Sequence, residues 1–212
     1  MCIRDRSLKL DLSFFGENHP SVASGYYNIG YVYFAQGDYS KALEYFEEVL
    51  KIRLSVYGEN HSRVASVYNH IGEIYSVQGD DFKALDYFKK SLKIVLSVYG
   101  ENHSQVSSIY DHIGEIYFAQ KDYSKALYYF EESLKIRLSL FGENHPEVAL
   151  SYYSIGSLYI IQGDKSKALN YYEKSLKIRL SVYGENHPLT KEIMDLINVA
   201  NSKVLQSPET TK

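Results

Sequence analysis

Apolar and aromatic residues recur along this chain at helical spacing, in pairs of segments joined by short polar turns. In the first complete pair, the apolar residues of the leading segment fall at i, i+3, i+4 and i+7, as one face of a helix requires: Tyr26, Ile29, Gly30 and Tyr33. The second segment keeps that periodicity at Tyr39, Ala42, Leu43, Phe46, Val49, Leu50 and Leu54. The pattern predicts a helix A over about residues 20–36 and an antiparallel helix B over about 39–56.

The helix pair is repeated, because the tetrapeptide Gly-Glu-Asn-His returns every 42 residues, starting at Gly16, Gly58, Gly100, Gly142 and Gly184. A fixed period of this length indicates a solenoid, in which each repeat packs only on its neighbours. We therefore expect four complete repeats, at residues 16–57, 58–99, 100–141 and 142–183.

The two ends of the chain break the period. Residues 7–15 align with the last part of a repeat and predict a partial repeat with helix B only, whereas residues 1–6 align with nothing and are expected to be a non-native or disordered leader. We expect this truncated edge to expose apolar surface, to favour self-association and to mark a fragment of a longer protein. Residues 184–204 keep a helical stripe and predict a capping helix, and residues 205–212 are expected to be a disordered tail.

Small residues stand where helices A and B are expected to approach each other closely. Glycine inside an exposed helix costs about 1 kcal/mol relative to alanine, yet every repeat keeps one in helix A: Gly30, Gly72, Gly114 and Gly156. On helix B of the first repeat, Ala42 supplies a small residue and Phe46 a large one. We expect a seam of small residues against large ones. Lys121 replaces the glycine of the inter-helix turn in the third repeat, so we expect that turn to depart from the others.

Composition and charge argue against several classes of function. The formal net charge is −3, with lysine and arginine spread among the acidic residues, so no basic stripe is present for nucleic acid. No apolar run approaches the roughly 20 residues of a membrane helix, and residues 1–6 lack the apolar core of a signal peptide. Cys2 is the only cysteine, which suits a reducing compartment. We expect a cytoplasmic protein that binds neither nucleic acid nor membrane.

The repeat resembles the tetratricopeptide repeat, whose pattern places large, small, aromatic and alanine residues along two helices. The matching residues of the first repeat are Tyr26, Ile29, Gly30, Tyr33, Ala42 and Phe46, whereas Val49 departs from the alanine of the pattern. The 42-residue period and the Gln36-Gly37-Asp38 turn are similar to the repeats of kinesin light chains. The resemblance implies an all-α, right-handed superhelical solenoid of stacked antiparallel helix pairs.

The resemblance also implies that the A helices line a concave groove that holds a peptide. Residues beside the packing stripe differ between repeats while the stripe does not, as expected if packing fixes one set and a ligand the other. We predict sixteen groove residues, namely Tyr27, Asn28, Tyr31, Phe34, Asn69, His70, Glu73, Ser76, Asp111, His112, Glu115, Phe118, Tyr153, Ser154, Ser157 and Ile160.

The charge of these sixteen residues predicts the kind of peptide. Glu73, Asp111 and Glu115 are acidic and none of the sixteen is lysine or arginine, so we expect a protein or peptide partner with basic residues. Exposed ion pairs are worth only about 0–1 kcal/mol each, and they predict preference more than affinity. The tryptophan-acidic cargo motifs associated with kinesin light chains bind a basic groove, and the acidic groove argues against that specificity.

Asparagines on this face hold the peptide backbone in kinesin light chains. The resemblance implies this role for Asn28 and Asn69, while His112 and Ser154 break the ladder of asparagines. Only two positions are therefore expected to clamp a peptide backbone.

Histidines raise the question of a metal site. His70, Glu73, His112 and Glu115 stand at i and i+3 on neighbouring A helices and could in principle offer four ligands to Zn²⁺. The alternative is a polar hydrogen-bonded ladder, and we expect no metal or other cofactor. A second histidine set is predicted to cap or turn the chain before each helix A: His19, His61, His103, His145 and His187.

Catalytic motifs are missing from the sequence: there is no nucleophile elbow, no phosphate-binding glycine loop and no His-Glu-x-x-His. We therefore expect a noncatalytic scaffold that binds a peptide or protein segment in the groove of the A helices. The alternative is a regulatory or self-association repeat module of a larger enzyme or signalling protein.

Overall fold

The structure, a computed structural model, describes residues 12–202, which hold helices and turns with no strand among them. Residues 12–15 are helical. The helices that follow are α1 (Pro20–Ala35), α2 (Tyr39–Tyr57), α3 (Ser62–Val77), α4 (Asp81–Tyr99), α5 (Ser104–Ala119), α6 (Tyr123–Phe141), α7 (Pro146–Ile161), α8 (Lys165–Tyr183) and α9 (Pro188–Ser202). The all-α fold of paired helices is confirmed, while the expectations for residues 1–6, 7–11 and 203–212 lie outside the described residues.

The chain divides into two compact units, Met1–Glu101 and Asn102–Lys212. In the first, α1 packs along α2, α2 on α3 and α3 along α4; in the second, α5 packs along α6, α6 on α7, α7 along α8 and α8 on α9. The predicted A helices are α1, α3, α5 and α7, and the predicted B helices are α2, α4, α6 and α8. Helix α9 lies against α8 and buries Thr190 and Ile193 completely.

A histidine caps the start of each A helix. Nδ1 of His19 accepts a hydrogen bond from the backbone N–H of Ser21 at 3.2 Å, and the His19 ring stacks on Phe15 with centroids 4.3 Å apart. The same backbone hydrogen bond starts the later helices at His61, His103, His145 and His187. The predicted capping role of these histidines is confirmed, and it requires an unprotonated Nδ1.

Helices A and B meet at the predicted seam of glycine against an aromatic ring. A Cβ added to Gly114 would lie 2.7 Å from Cε1 of Phe130, and one added to Gly72 would lie 2.9 Å from Cδ1 of Phe88. Real Cβ atoms do not approach other atoms so closely. Phe88 is fully buried, so the glycine makes room for a core ring between the two helices.

The turn between α5 and α6 has the same geometry as the corresponding turn of the first repeat. Lys121 has φ of 62° and Gly37 has φ of 78°, both in the left-handed region. In both turns two backbone N–H groups donate to the end of the preceding helix, as from Lys121 to Phe118 and from Asp122 to Tyr117. The expectation that this turn departs was wrong, because these hydrogen bonds hold lysine in a conformation that costs an L-residue about 1–2 kcal/mol.

Candidate functional site

The sixteen predicted groove residues all lie on A helices, four on each of α1, α3, α5 and α7. None of the sixteen is fully buried. Asn28, Tyr31, Glu115 and Ile160 are exposed, and the others are half-buried. The structure brings part of this set together in each compact unit: a hydrogen-bonded cluster in the first and a pocket in the second.

The cluster in the first unit joins α1 to α3. The Tyr27 hydroxyl oxygen lies 2.6 Å from Nε2 of His70, and Nδ1 of His70 lies 3.0 Å from Oε2 of Glu73. Nδ2 of Asn69 donates to the other carboxylate oxygen of Glu73 at 2.5 Å. Because an ionised carboxylate only accepts, Nδ1 of His70 donates to Glu73, and in the neutral ring Nε2 accepts from Tyr27. Four of the predicted residues therefore form one connected network, Tyr27–His70–Glu73–Asn69.

Aromatic rings surround this network. The His70 ring stacks on Phe46 of α2 with centroids 5.3 Å apart, and Tyr31 meets His70 edge to face at 6.2 Å. Tyr31 also packs on Phe34 at 6.5 Å and is 52% exposed. A ligand that reaches this face of the first unit meets the Tyr31 ring beside a fixed polar cluster.

A pocket of about 150 Å³ lies on the A-helix face of the second unit. It is lined by Glu115, Phe118, Phe130, Tyr153, Ser154 and Ser157. All but Phe130 are predicted groove residues. Half of the lining residues are aromatic, and the others supply one carboxylate and two serine hydroxyl groups. A volume of this size holds about one six-membered apolar ring. The pocket is therefore suited to a single side chain.

Three arginines of the B helices reach this face, and the sequence reasoning missed them. Arg53, Arg137 and Arg179 are 8%, 3% and 4% exposed. The Arg53 guanidinium carbon lies 4.7 Å from the centre of the Tyr27 ring, and that of Arg179 lies 4.9 Å from Tyr153. The recurring Lys-Ile-Arg of helix B was a signal, but arginine is mostly exposed in proteins, so the pattern alone did not indicate burial.

Arg137, in the third repeat, makes this face less acidic than the sequence predicts. Nη1 of Arg137 lies 2.7 Å from Oδ2 of Asp111, and Nη2 lies 2.9 Å from Oε2 of Glu147. Burial raises the pKa of the Asp111 carboxyl, and the Arg137 guanidinium opposes that rise. The charge of Asp111 is compensated inside the fold, so the face is less acidic than the sequence alone suggests. Glu115 is exposed and keeps its carboxylate at the surface.

The second repeat has no arginine at this place. Val95 stands in its place and is 1% exposed. Asn69 is the residue of the second repeat that corresponds to Asp111 of the third. The Asn69 side-chain oxygen is buried and has no hydrogen-bond partner. In the three repeats that have this arginine on helix B, the corresponding groove residue on helix A is tyrosine or aspartate. In the second repeat, which has valine on helix B, the groove residue is asparagine.

The predicted asparagine ladder rests on a wrong register. Asn28 and Asn69 are not a whole repeat apart: Asn28 corresponds to His70 in the second repeat, and Asn69 corresponds to Tyr27 in the first. Asn28 is exposed on α1, while Asn69 is half-buried and donates to Glu73. The two amides therefore occupy different environments and do not form one row.

The metal hypothesis gains no support from residues 12–202. Within that range no group of three or more histidine, cysteine, aspartate or glutamate side chains is arranged to hold a metal ion. His70 and Glu73 instead belong to the hydrogen-bonded cluster of the first unit. In the same range, no helix has both the length and the hydropathy to span a bilayer.

Comparison with protein families identifies the repeat. The family model described as tetratricopeptide repeat matches residues 3–55, 63–139 and 105–181, which together exceed half of the chain. The chain belongs to the tetratricopeptide repeat family. Tetratricopeptide repeat proteins are in general noncatalytic scaffolds for protein–protein interaction. No curated protein sequence matches the chain.

Solved structures share this tetratricopeptide repeat fold. BtubC (BKLC) from P. vanneervenii is 18% identical with a TM-score of 0.75, over 99% of this chain and 92% of that one. A structure from Podosopora anserina with nearly identical, kinesin light chain-like TPR-like repeats is 16% identical with a TM-score of 0.68, over 89% of this chain and 99% of that one. The apo form of RapI is 18% identical with a TM-score of 0.73, over 86% of this chain and 64% of that one. The resemblance to kinesin light chain-like repeats is confirmed, and at these identities it concerns the fold alone.

Proposed function

We propose that this tetratricopeptide repeat protein is a noncatalytic scaffold that binds a segment of another protein on its A-helix faces, in the manner of a kinesin light chain-like adaptor. The observation that carries the proposal is the pocket of about 150 Å³ in the second unit, where five of the six lining residues are predicted groove residues. A pocket of this size has room for about one six-membered ring, so it suits one anchoring side chain of a peptide.

The lining of the pocket supports a mixed apolar and basic peptide. Phe118, Phe130 and Tyr153 offer ring surface to an apolar or aromatic anchor, and burial of such a side chain contributes about 1.5–3 kcal/mol. Glu115 places a carboxylate in the same pocket, where a lysine or arginine beside the anchor would meet it. Since an exposed ion pair adds only about 0–1 kcal/mol, the anchor supplies affinity and the charge supplies preference.

A peptide-array screen with the full chain tests this proposal. We expect selective binding of peptides that pair an apolar or aromatic residue with a basic one. The variant Ser154→Trp fills the pocket and should abolish that binding. Its matched control, Ser166→Trp, adds the same indole to an exposed position of α8 in the same unit and should leave binding unchanged. Equal binding by both variants, or no selective peptide, would contradict the proposal.

The charge preference has its own test. Glu115→Lys replaces one exposed attraction with a repulsion of similar size and should weaken the binding of basic peptides by about thirtyfold or less. Glu173→Lys makes the same charge change at an exposed position of α8 and serves as control. If Glu115→Lys leaves the preference for basic peptides intact, that preference does not come from this carboxylate. The alternative of a regulatory or self-association module and the cytoplasmic location stay predictions.

A further inference from the structure

Each repeat pairs a tyrosine of helix A with a tyrosine of helix B. The ring centroids of these pairs lie 5.6 to 6.0 Å apart. The pairs, none of which belongs to the sixteen groove residues, are Tyr26 with Tyr45, Tyr68 with Tyr87, Tyr110 with Tyr129, and Tyr152 with Tyr171.

In two repeats the chain itself places a lysine ammonium over the tyrosine pair. Nζ of Lys90 lies 6.0 Å from the centre of the Tyr68 ring and 4.9 Å from that of Tyr87. Asp86 holds the same ammonium at 2.6 Å. In the fourth repeat Lys174 takes the place of Lys90, 5.5 and 5.2 Å from its two rings. A tyrosine pair with lysine over it is therefore an arrangement that this fold builds repeatedly.

The first repeat keeps the rings and the carboxylate of this arrangement but changes the cation. Glu44 stands at the position of Asp86, and Glu48 stands at the position of Lys90. A pocket of about 490 Å³ lies there, lined among the described residues by Tyr26, Glu44, Tyr45, Glu47 and Glu48. The place that holds an ammonium in the second and fourth repeats is thus a pocket with aromatic and carboxylate walls.

The groups around this pocket are mostly negative and favour a cation. Burial raises the pKa of Tyr26, and the negative charges of Glu48 and Glu17 raise it further. Lys51 lies beside this pocket, with Nζ 3.9 Å from Oε2 of Glu48, and its side chain is 74% exposed. The third repeat differs, because Tyr128 replaces the carboxylate of Glu44. The first repeat therefore combines both tyrosines with both acids.

We propose that this pocket of the first repeat binds the ammonium group of a lysine side chain from a partner protein. Tyr26 and Tyr45 supply ring faces as Tyr68 and Tyr87 do around Lys90, and Glu44 supplies the carboxylate as Asp86 does. Glu48 adds a second carboxylate in place of the internal lysine. The site shares no residue with the A-helix groove, so the two proposals are tested independently and one can fail without the other.

The probe for the test is Nα-acetyl-lysine N-methylamide, added to the full chain with ¹³C-labelled tyrosine rings. We expect saturable shifts of the Tyr26 and Tyr45 ring signals, with a dissociation constant on the order of 1–10 mM for a single exposed cation site. The norleucine analogue has the same four-carbon side chain without the ammonium and should produce no saturable shift. Equal shifts from both compounds would overturn the proposal.

Two reciprocal variants use the other repeats as templates. Glu48→Lys places the chain's own ammonium in the pocket and should weaken the probe at least tenfold, while Glu59→Lys, the same charge change at an exposed loop position, should not. Lys90→Glu opens the corresponding place in the second repeat and should add saturable shifts at Tyr68 and Tyr87. Unchanged binding by Glu48→Lys, or no new site in Lys90→Glu, would contradict the proposal even if the other variant failed to fold.

Discussion

A buried guanidinium needs a partner wherever it has lost water, and Arg137 has several. Asp111 and Glu147 accept from its two terminal nitrogens, and Ser151 accepts at 2.7 Å. In the first and fourth repeats the corresponding arginines, Arg53 and Arg179, lie against tyrosine rings. Burying an ion pair need not stabilise a protein, but leaving one member of the pair alone is costly.

We predict that Arg137→Val destabilises the protein by about 3–5 kcal/mol, because it leaves the Asp111 carboxylate, only 18% exposed, without its cation. The double variant Asp111→Asn with Arg137→Val copies the amide and valine of the second repeat and should recover most of the loss. Urea denaturation followed by circular dichroism measures both. Equal stability of the single and double variants would show that the unpaired carboxylate is not the cause.

The loss in Arg137→Val should also depend on pH. Burial raises the folded-state pKa of Asp111 above its unfolded value, so the folded state holds the proton more tightly. Stability contributed by such a group is present below the unfolded pKa, about 3.9, and is lost as pH rises through the folded pKa. The variant should therefore lose more stability relative to the parent at pH 7 than at pH 4.

Lys121 offers a stabilising substitution. Its left-handed backbone favours glycine, so Lys121→Gly should raise the free energy of unfolding by about 1 kcal/mol. The reciprocal change Gly37→Lys, in the same turn of the first repeat, should lower it by a similar amount. Thermal unfolding of both variants checks the pair, and a loss of stability in Lys121→Gly would contradict the strain argument.

The roles of some residues were predictable from sequence and those of others were not. The turn at Gly37 and the cap at His19 were predictable, because a left-handed turn and a helix cap each accept few residue types. The burial of Arg53 was not, because it depends on Tyr27 of the neighbouring helix, which no local pattern places beside it. The charge of Asp111 was misjudged for the same reason.

At the scale of elements, each B helix begins with the same aspartate and lysine. Asp38 caps α2 by accepting from the backbone N–H of Lys41, whose ammonium lies 2.7 Å from the carboxylate and 4.9 Å from the centre of the Tyr33 ring. The side-chain hydrogen bond from Lys41, then its backbone hydrogen bond, lowers the pKa of Asp38. The corresponding caps, whose pKa values are lowered by the same two kinds of hydrogen bond, are Asp80, Asp122 and Asp164.

These four caps predict a loss of stability in acid. Because the folded-state pKa of each aspartate lies below the unfolded value, its contribution is present above about pH 4 and is lost as pH falls through the folded pKa. Replacing all four by asparagine keeps a good capping residue and removes the titration. The quadruple variant should show a shallower decline of thermal midpoint between pH 5 and 2 than the parent, and an identical decline would contradict this account.

Element boundaries followed from the periodic pattern with small errors. Helix A was expected over about 20–36 and α1 spans Pro20–Ala35; helix B was expected over about 39–56 and α2 spans Tyr39–Tyr57. Apolar spacing, a proline at the start and glycine at the end fix such limits locally. The tyrosine pairs had no such signal, because their partners lie on different helices.

At the scale of the whole molecule, corresponding positions of the four repeats can be compared with one another. Each repeat keeps its packing stripe and varies the residues beside it, so differences between repeats mark surfaces that packing does not fix. Sequence predicted the face of the A helices on that basis. It could not predict the pocket lined by Phe118, Phe130 and Tyr153, because that pocket requires three helices to meet.

The binding face is tested most directly by mapping a selected peptide onto the ¹⁵N-labelled full chain by chemical-shift changes. The account predicts that the changes concentrate at residues of α5 and α7 around the pocket, including Glu115 and Ser154, and that Ser154→Trp removes them. Changes concentrated instead on the exposed faces of the B helices, and unaffected by Ser154→Trp, would contradict the claim that the A-helix face is the functional surface.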